Sequence, residues 1–282
     1  MKHSSVFGLA AVLLAIVVFA GFAMRYRSTA EVPLHDMAAH EVPLPATAGE
    51  ISNAASLGAP VQPVIGEEVA YFGDRKGHFV RPVASGTYPG VVMIHEWWGL
   101  TDGVREEARA LAGEGYLVFA VDLFGTVATT SEDARKQTGT AKQDVSNANM
   151  RAAAAYLRSH GAAKLASLGW CYGGGQSLQL SLSGEPLDAT VMYYGQVVTD
   201  PERLKALHAP VLGIFAGDDR SITAENVGKF DAALDQVGVA NSVHIYPGVG
   251  HAFANPTGAS YAPEETKDAW AKTLAFLGEH LR

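Results

Sequence analysis

Short apolar runs alternate with amphipathic segments along the C-terminal three quarters of the chain. Mainly apolar runs occupy residues 90–95, 116–121, 164–168 and 211–216. Each is followed by a segment with helical spacing or helix-start residues. Continuous apolar strands that alternate with helices are typical of a parallel sheet covered on both faces. We therefore predict an α/β fold with a mainly parallel central sheet and helices on both faces.

The remaining elements follow from the same reasoning. A hairpin is predicted from residues 67–72 and 78–81, because a glycine-flanked polar turn separates them. A helical pattern begins at Ser131, is interrupted at Gly139, and continues through residues 149–158. Further strands are predicted at 189–194 and 242–246, and further helices at 103–112, 174–183, 201–207, 226–236 and 264–281.

The N-terminal segment has a different pattern. Residues 6–24 are apolar and uncharged, with Lys2 before them and Arg25 and Arg27 after them. About 19 residues of helix would cross a hydrocarbon layer of roughly 30 Å. We expect residues 1–27 to be a signal or membrane-anchor segment, and favour an uncleaved anchor over a cleaved signal peptide. The folded α/β part is then exported, either membrane-anchored or periplasmic (extracytoplasmic), with the membrane as a partner of this helix.

Residues 28–66 are rich in proline, alanine and small polar residues. Their prolines oppose a regular helix or inner strand, which predicts an extended tether. His35, Asp36 and His40 lie in this segment, but no preformed geometry would hold them around a metal ion. The predicted organisation is thus a leader (1–27), a tether (28–66) and an α/β domain (67–282).

Composition excludes several classes of function. The 282 residues carry a net charge of −8, and the leader contributes only basic groups, so the remainder is more acidic still. Without a basic stripe, nucleic acid is not expected as a partner. The single cysteine rules out an intramolecular disulfide. The oligomeric state stays open, and a monomer is plausible.

That cysteine lies in the run Gly169-Trp170-Cys171-Tyr172-Gly173, between a predicted strand and a predicted helix. A Gly-x-nucleophile-x-Gly turn in this context is the nucleophile elbow of α/β-hydrolases. A lone cysteine is more often a small buried hydrophobic residue. The position at the centre of this turn favours a catalytic role for Cys171 and predicts the α/β-hydrolase fold.

A thiol nucleophile needs a base and an acid that orients it, and in this fold they follow the nucleophile in the order acid, then histidine. Asp218 and Asp219 follow the strand at 211–216, and the residues themselves do not separate the two. His251 lies in a glycine-rich loop after the strand at 242–246. Both positions are at the carboxyl ends of strands, where ligands bind in open α/β sheets.

The oxyanion of acyl transfer needs hydrogen-bond donors. In this fold they are the backbone N–H after the nucleophile, here that of Tyr172, and one from the loop after an early strand, for which we choose Trp97. Glu96 is a carboxylate among aromatic residues, which is hard to keep ionised unless it is paired. Gly99 stands where a zinc-protease motif starting at His95 would need histidine, so no metal is expected.

Taken together, these motifs resemble the dienelactone hydrolase family, whose members use a cysteine nucleophile. The resemblance runs from about residue 67 to the C-terminus. It rests on the following residues: Glu96, Trp98-Gly99, Gly115-Tyr116, Asp122-Leu123-Phe124, Gly169 to Gly174, Tyr193-Tyr194-Gly195, Asp219 and Gly250-His251-Ala252-Phe253.

The resemblance implies a triad of Cys171, His251 and Asp219, which favours Asp219 over Asp218. It also implies that Glu96 is a fourth functional residue, in contact with the thiol until substrate binds. The implied reaction is hydrolysis of a small-molecule carboxylic ester or lactone through an acyl-enzyme at Cys171, with no cofactor.

The sequence departs from the family pattern at the residues that bind the substrate. The family's archetype holds a substrate carboxylate with two arginines, one of them four residues after the catalytic histidine. Asn255 occupies that position here, and Arg135 matches the other only loosely. A neutral amide cannot replace a bidentate guanidinium, which argues against activity on dienelactone itself. The remaining pocket candidates, Trp97, Trp98, Tyr172, Tyr193 and Phe253, are equally compatible with an aromatic pocket and with core packing.

Two other functions are compatible with the sequence. The same triad could serve an acyltransferase or thioesterase. Alternatively, the hydrolase fold could act without catalysis, as a binding module of the cell envelope.

Overall fold

The structure, a computed structural model, describes residues 57–282, which contain one eight-stranded sheet. The strands are β1 (Val64–Phe72), β2 (Arg75–Pro82), β3 (Gly90–Ile94), β4 (Leu117–Ala120), β5 (Leu165–Trp170), β6 (Ala189–Tyr193), β7 (Val211–Ala216) and β8 (Asn241–Tyr246). The helices are α1 (Asp102–Gly113), α2 (Ser131–Thr140), α3 (Gln143–Ser159), α4 (Tyr172–Leu182), α5 (Pro201–Leu204), α6 (Ala224–Val237) and α7 (Pro263–Leu281).

The sheet is mainly parallel, as predicted. Its strand order is β1-β2-β4-β3-β5-β6-β7-β8. Only the pairs β1 with β2 and β2 with β4 are antiparallel; the other five are parallel. The loops that follow β3, β5, β6, β7 and β8 therefore leave the same edge of the sheet, which brings residues distant in sequence together there.

Both faces of the sheet are buried, which explains the continuous apolar runs. In β3, Val91 and Met93 belong to a core cluster that includes residues of α1 and α7. The alternate residues Val92 and Ile94 belong to a second cluster with residues of α3 and α4. Because successive side chains of a strand point to opposite faces, a strand covered on both sides must be apolar throughout. The prediction of helices on both faces is confirmed.

The N-terminal boundary of the fold differs from the sequence-based prediction. Strand β1 begins at Val64, three residues inside the segment predicted as tether. Before it, Pro63 O accepts a hydrogen bond from Val83 N (3.0 Å), and Gln62 Nε2 donates to Gly113 O (2.9 Å). Proline opposes an inner strand, but β1 is an edge strand that begins directly after Pro63, so the missing N–H of Pro63 leaves no ladder bond unmade.

Helix boundaries differ as well. The pattern interrupted at Gly139 is two helices, α2 and α3, and the break lies at Ala141 and Lys142, whose backbones are extended. Gly139 itself is helical. Helix α4 starts at Tyr172, two residues before the predicted start, because the turn at Cys171 leads directly into it.

The predicted leader (residues 1–27) and most of the predicted tether lie outside the described residues. Within residues 57–282, no helix combines the length and apolarity needed to cross a membrane.

Close backbone packing explains the glycines of the turn between β5 and α4. A Cβ atom added at Gly169 would come within 2.2 Å of Gly173 O, and one added at Gly173 within 2.2 Å of Ile94 O. Both neighbours are backbone atoms, which cannot rotate away as a side-chain end can. The turn therefore tolerates no side chain at either position, and β3 lies directly against it.

This packing predicts opposite effects for two glycine-to-alanine substitutions. Gly169→Ala should lower the free energy of unfolding by at least about 2 kcal/mol, because the backbone must shift to admit the methyl group. Gly228→Ala, in α6, is the matched control: its Cβ would meet nothing within 4 Å. It should stabilise the protein by about 0.5–1 kcal/mol, since alanine loses less backbone entropy than glycine in a helix.

Denaturant unfolding of both variants measures the two effects. Equal stability of Gly169→Ala and the wild-type protein would contradict the packing described for the turn.

Candidate active site

Cys171 occupies a strained backbone position at the edge of the sheet. It lies between the last residue of β5 and the first of α4, with φ 54° and ψ −118°. A positive φ is uncommon for a residue with a side chain and costs on the order of 1–3 kcal/mol. The Cys171 N–H donates to Tyr193 O (3.0 Å), which helps to hold this conformation. Its sulfur lies at the N-terminus of an eleven-residue helix, where the helix dipole favours negative charge.

Three side chains from three loops form a continuous hydrogen-bonded chain. His251 Nε2 lies 3.2 Å from Cys171 Sγ, and His251 Nδ1 lies 2.6 Å from Asp219 Oδ2. Cys171 follows β5, Asp219 follows β7 and His251 follows β8. The parallel arrangement of these strands thus brings together residues that are 80 positions apart. The carboxylate holds the Nδ1 proton, so that Nε2 faces the sulfur.

Asp219, rather than Asp218, contacts the histidine. The Asp219 side chain is fully buried, and its Oδ1 accepts from the backbone N–H groups of Ser221 (2.8 Å) and Ile222 (3.0 Å). Burial opposes ionisation, but the hydrogen bond with His251 and these two N–H groups hold the pKa of Asp219 below its ordinary value. Asp218 is exposed, and its N–H donates to Val249 O.

His251 carries a proton more readily than an ordinary histidine. Burial of the ring disfavours the charge, but the charges of Cys171 and Asp219, with their hydrogen bonds, raise the pKa of His251 well above its ordinary value. The ring packs edge-to-face on Tyr194, with centroids 5.2 Å apart. At neutral pH this environment favours an imidazolium next to the sulfur.

Glu96 contacts Asn255 instead of the thiol. Asn255 Nδ2 donates to Glu96 Oε2 (2.7 Å), while Glu96 Oε1 is buried and has no hydrogen-bond partner within residues 57–282. Burial raises the pKa of Glu96, against the opposing effects of His251 and Asn255. The family resemblance implied a resting contact between Glu96 and the thiol, whereas in this structure the sulfur faces His251.

The two predicted oxyanion donors lie on neighbouring segments. Tyr172 is the first residue of α4, so its N–H has no acceptor within the helix. Trp97 lies in the loop after β3, and its side chain belongs to the same buried cluster as Tyr172. The loop is anchored from α2, because Gln137 Nε2 donates to Trp97 O (2.5 Å).

The predicted pocket residues divide into two groups. Tyr193 and Phe253 are core residues: both are fully buried, and the Tyr193 hydroxyl bonds Thr273 Oγ1 (2.6 Å) on α7. Trp98 packs edge-to-face on Trp97, with ring centroids 5.0 Å apart, in the loop beside the elbow.

The two polar residues predicted for the substrate pocket lie in different places. Asn255 reaches the site through Glu96, while Arg135 is exposed on α2.

Tyr194 is a residue of this site that sequence reasoning did not assign. Its hydroxyl is buried, has no hydrogen-bond partner in the described part of the chain, and interacts electrostatically with Glu96 and Cys171. It immediately follows β6, so the strand-end rule that selected the two aspartates and His251 could have found it. Its φ of 36° is a local backbone feature with no sequence signature.

The described residues also bear on metal binding. No cluster of three or more histidine, cysteine, aspartate or glutamate side chains among residues 57–282 could hold a metal ion.

Comparison with known proteins identifies relatives of this chain. The sequence model of the dienelactone hydrolase family matches residues 76–281. A Saccharolobus solfataricus protein, provisionally named carboxymethylenebutenolidase, is 29% identical over 231 residues, which cover 66% of this chain and 88% of that protein. Protein usf of Aquifex pyrophilus is 32% identical over 223 residues, covering 73% and 94% of the two chains.

A solved structure is similar as well. It belongs to a Klebsiella pneumoniae protein provisionally described as a dienelactone hydrolase, with a TM-score of 0.72 and 26% identity. The match covers 77% of this chain and 100% of that one.

The hydrogen bond between Asp219 and His251 predicts how the imidazole titrates. In the wild-type protein His251 should remain protonated above the ordinary histidine range, because its pKa is raised. Asp219→Asn removes one of the negative charges that cause this and should lower the pKa of His251. Asp218→Asn, at an exposed carboxylate, should leave it unchanged. NMR titration of ¹⁵N-labelled histidine measures all three, and an equal pKa of His251 in the wild-type and Asp219→Asn proteins would contradict the assignment.

Proposed function

Since the chain belongs to the dienelactone hydrolase family and is therefore a hydrolase of ester or lactone bonds, we propose that it works through an acyl-enzyme on Cys171. In this proposal Cys171 is the nucleophile, His251 the general base and acid, and Asp219 the residue that orients His251. The observation that carries it is the hydrogen-bonded chain from Asp219 Oδ2 through His251 to Cys171 Sγ, with separations of 2.6 and 3.2 Å.

In the first half of the reaction, Cys171 Sγ attacks the carbonyl carbon of the substrate while the thiol proton resides on His251 Nε2. The carbonyl oxygen becomes an oxyanion, which the backbone N–H groups of Trp97 and Tyr172 stabilise. When the tetrahedral intermediate collapses, the C–O bond breaks and His251 Nε2 gives its proton to the leaving oxygen. A thioester on Cys171 remains; for a lactone, the released hydroxyl stays attached to the acyl group.

In the second half, water replaces the leaving alcohol. Neutral His251 Nε2 takes a proton from the water, whose oxygen attacks the thioester carbon. The second oxyanion occupies the same site as the first. Its collapse breaks the C–S bond, releases the carboxylic acid and restores the thiolate and imidazolium. No redox step and no cofactor enters this sequence of steps.

The charges near the thiol suggest which esters are suitable. Glu96 and Asp219 are carboxyl groups, and Asn255, which bonds Glu96, is neutral. A carboxylate on the acyl group would meet this amide where a guanidinium would be required to bind it. We therefore propose a substrate whose acyl part is uncharged.

The proposed triad predicts large and unequal losses of esterase activity. With a p-nitrophenyl ester, Cys171→Ala and His251→Ala should each lower kcat by about 10³-fold or more, and Asp219→Ala by about 10²–10⁴-fold. Asp218→Ala is the matched control and should retain activity within about threefold, because that carboxylate is exposed and does not contact His251. Initial rates with purified proteins measure these effects.

Two outcomes would overturn the assignment. Full activity of Cys171→Ala would exclude the acyl-enzyme on this residue. A larger loss in Asp218→Ala than in Asp219→Ala would show that the other aspartate orients the histidine.

A further inference from the structure

His95 is a buried histidine that the proposed reaction does not use. It immediately follows β3, is fully buried, and its ring packs on Phe124, with centroids 5.0 Å apart. Both ring nitrogens are engaged by the backbone. His95 Nδ1 lies 2.6 Å from Glu96 O, and Leu123 N lies 3.1 Å from His95 Nε2. The imidazole thus connects the loop after β3 to the loop after β4.

These two contacts determine the tautomer of the ring. A backbone N–H can only donate, so Nε2 must be the unprotonated acceptor of the Leu123 N–H. A carbonyl oxygen can only accept, so Nδ1 must carry the proton that is donated to Glu96 O. Burial lowers the pKa of His95, although Asp122 and the Glu96 carbonyl oppose this effect. The ring is accordingly neutral at physiological pH and makes both hydrogen bonds.

The acceptor of His95 belongs to the peptide unit that also contains the Trp97 N–H. A trans peptide is planar, and its C=O and N–H point in opposite directions. Fixing the Glu96 carbonyl toward His95 therefore fixes the Trp97 N–H toward the opposite side. Glu96 O also accepts a longer hydrogen bond from Gly99 N (3.4 Å), which supports the same orientation.

The next two carbonyls of this loop are held as well. Gln137 Nε2 donates to Trp97 O (2.5 Å), and Ala128 N donates to Trp98 O (2.8 Å). Three successive carbonyls are thus bonded to donors from outside their own peptide units. Of the three, only the Glu96 carbonyl controls the direction of the Trp97 N–H, and the side chain that fixes it is His95.

We propose that His95 is a positioning residue that directs the Trp97 N–H at the oxyanion of the acyl-transfer reaction. This inference rests on the proposed function, because it takes the Trp97 N–H as an oxyanion donor. Without the Nδ1–H bond, the peptide can rotate. Its carbonyl would then face the oxyanion and repel it, where the N–H would have stabilised it.

Two amide variants separate the two hydrogen bonds of the ring. In His95→Asn, the side-chain amide can occupy the position of Nδ1 and donate to Glu96 O, but the Leu123 N–H loses its acceptor. In His95→Gln, the amide reaches the position of Nε2 and accepts from Leu123 N–H, but the donor to Glu96 O is lost. Both variants replace an aromatic ring by a neutral amide, so each is the control for the other.

The proposal predicts a kcat effect confined to one variant. His95→Gln should lower kcat for a p-nitrophenyl ester by about 10–100-fold with little change in KM, since a misdirected donor weakens only the transition state. His95→Asn should retain most of the wild-type kcat. Alkylation of Cys171 by iodoacetamide should proceed at similar rates in both, because this reaction forms no oxyanion.

Several results would overturn the inference. Equal kcat values in the two variants, or a larger loss in His95→Asn, would show that the Glu96 bond does not matter for the reaction. A parallel fall in the alkylation rate and kcat of His95→Gln would show that the variant damages the nucleophile. The proposed function fails separately, if Cys171→Ala keeps its activity.

A measurement on the wild-type protein covers the case in which a variant does not fold. The ¹⁵N resonances of the His95 imidazole should show a protonated Nδ1 and a bare Nε2 that do not change between pH 5 and pH 8. A protonated Nε2 would contradict the proposal, because Glu96 O would then have no imidazole donor.

Discussion

The hydrogen bond between His251 and Asp219 is the interaction on which the proposed chemistry depends. It fixes Nδ1 of the imidazole to a buried carboxylate and leaves Nε2 3.2 Å from Cys171 Sγ. Neither residue could do this alone. Asp219 remains ionised in the interior because two backbone N–H groups and the imidazole offset its loss of hydration. The parallel sheet supplies the geometry, because β5, β7 and β8 end at one edge.

The backbone around the sulfur is as constrained as the side chains. Cys171 adopts a positive φ, Gly169 and Gly173 leave no space for a Cβ, and β3 lies directly against the turn. A strained backbone conformation of this kind persists only where the surrounding packing holds it in place. The loop after β3 is held in a comparable way, through hydrogen bonds to its successive carbonyls. The proposed oxyanion site is therefore built from backbone groups whose directions are set before substrate binds, which is what electrostatic stabilisation of a transition state requires.

Much of this arrangement could be predicted from the sequence, because the relevant signals are local. The glycines around Cys171 reveal a tight turn, and continuous apolar runs reveal strands buried on both faces. The order of cysteine, acid and histidine at strand ends then selects Cys171, His251 and the pair Asp218 and Asp219, and the family resemblance favours Asp219. Local patterns and strand order therefore predict which strand ends carry the candidate residues, but not which of the two aspartates contacts His251.

Other features depend on tertiary contacts and carry no local signal. Strand β1 can start at Val64, directly after Pro63, because it lies at the edge of the sheet. The pairing of Glu96 with Asn255 joins residues 159 positions apart, and nothing near either one indicates it. The role inferred for His95 depends on a contact with Leu123 across two loops. Side-chain partners across loops are decided by the packed structure, which spacing in the sequence does not encode.

Covalent trapping of the intermediate tests the central claim most directly. The purified protein would be mixed with an activated ester, quenched in acid within milliseconds to seconds, digested and analysed by mass spectrometry. The account predicts that the peptide containing Cys171 gains the mass of the acyl group, and that this adduct disappears as turnover is completed. Hydrolysis of the ester without any adduct on Cys171, or with the acyl group on another residue, would contradict it.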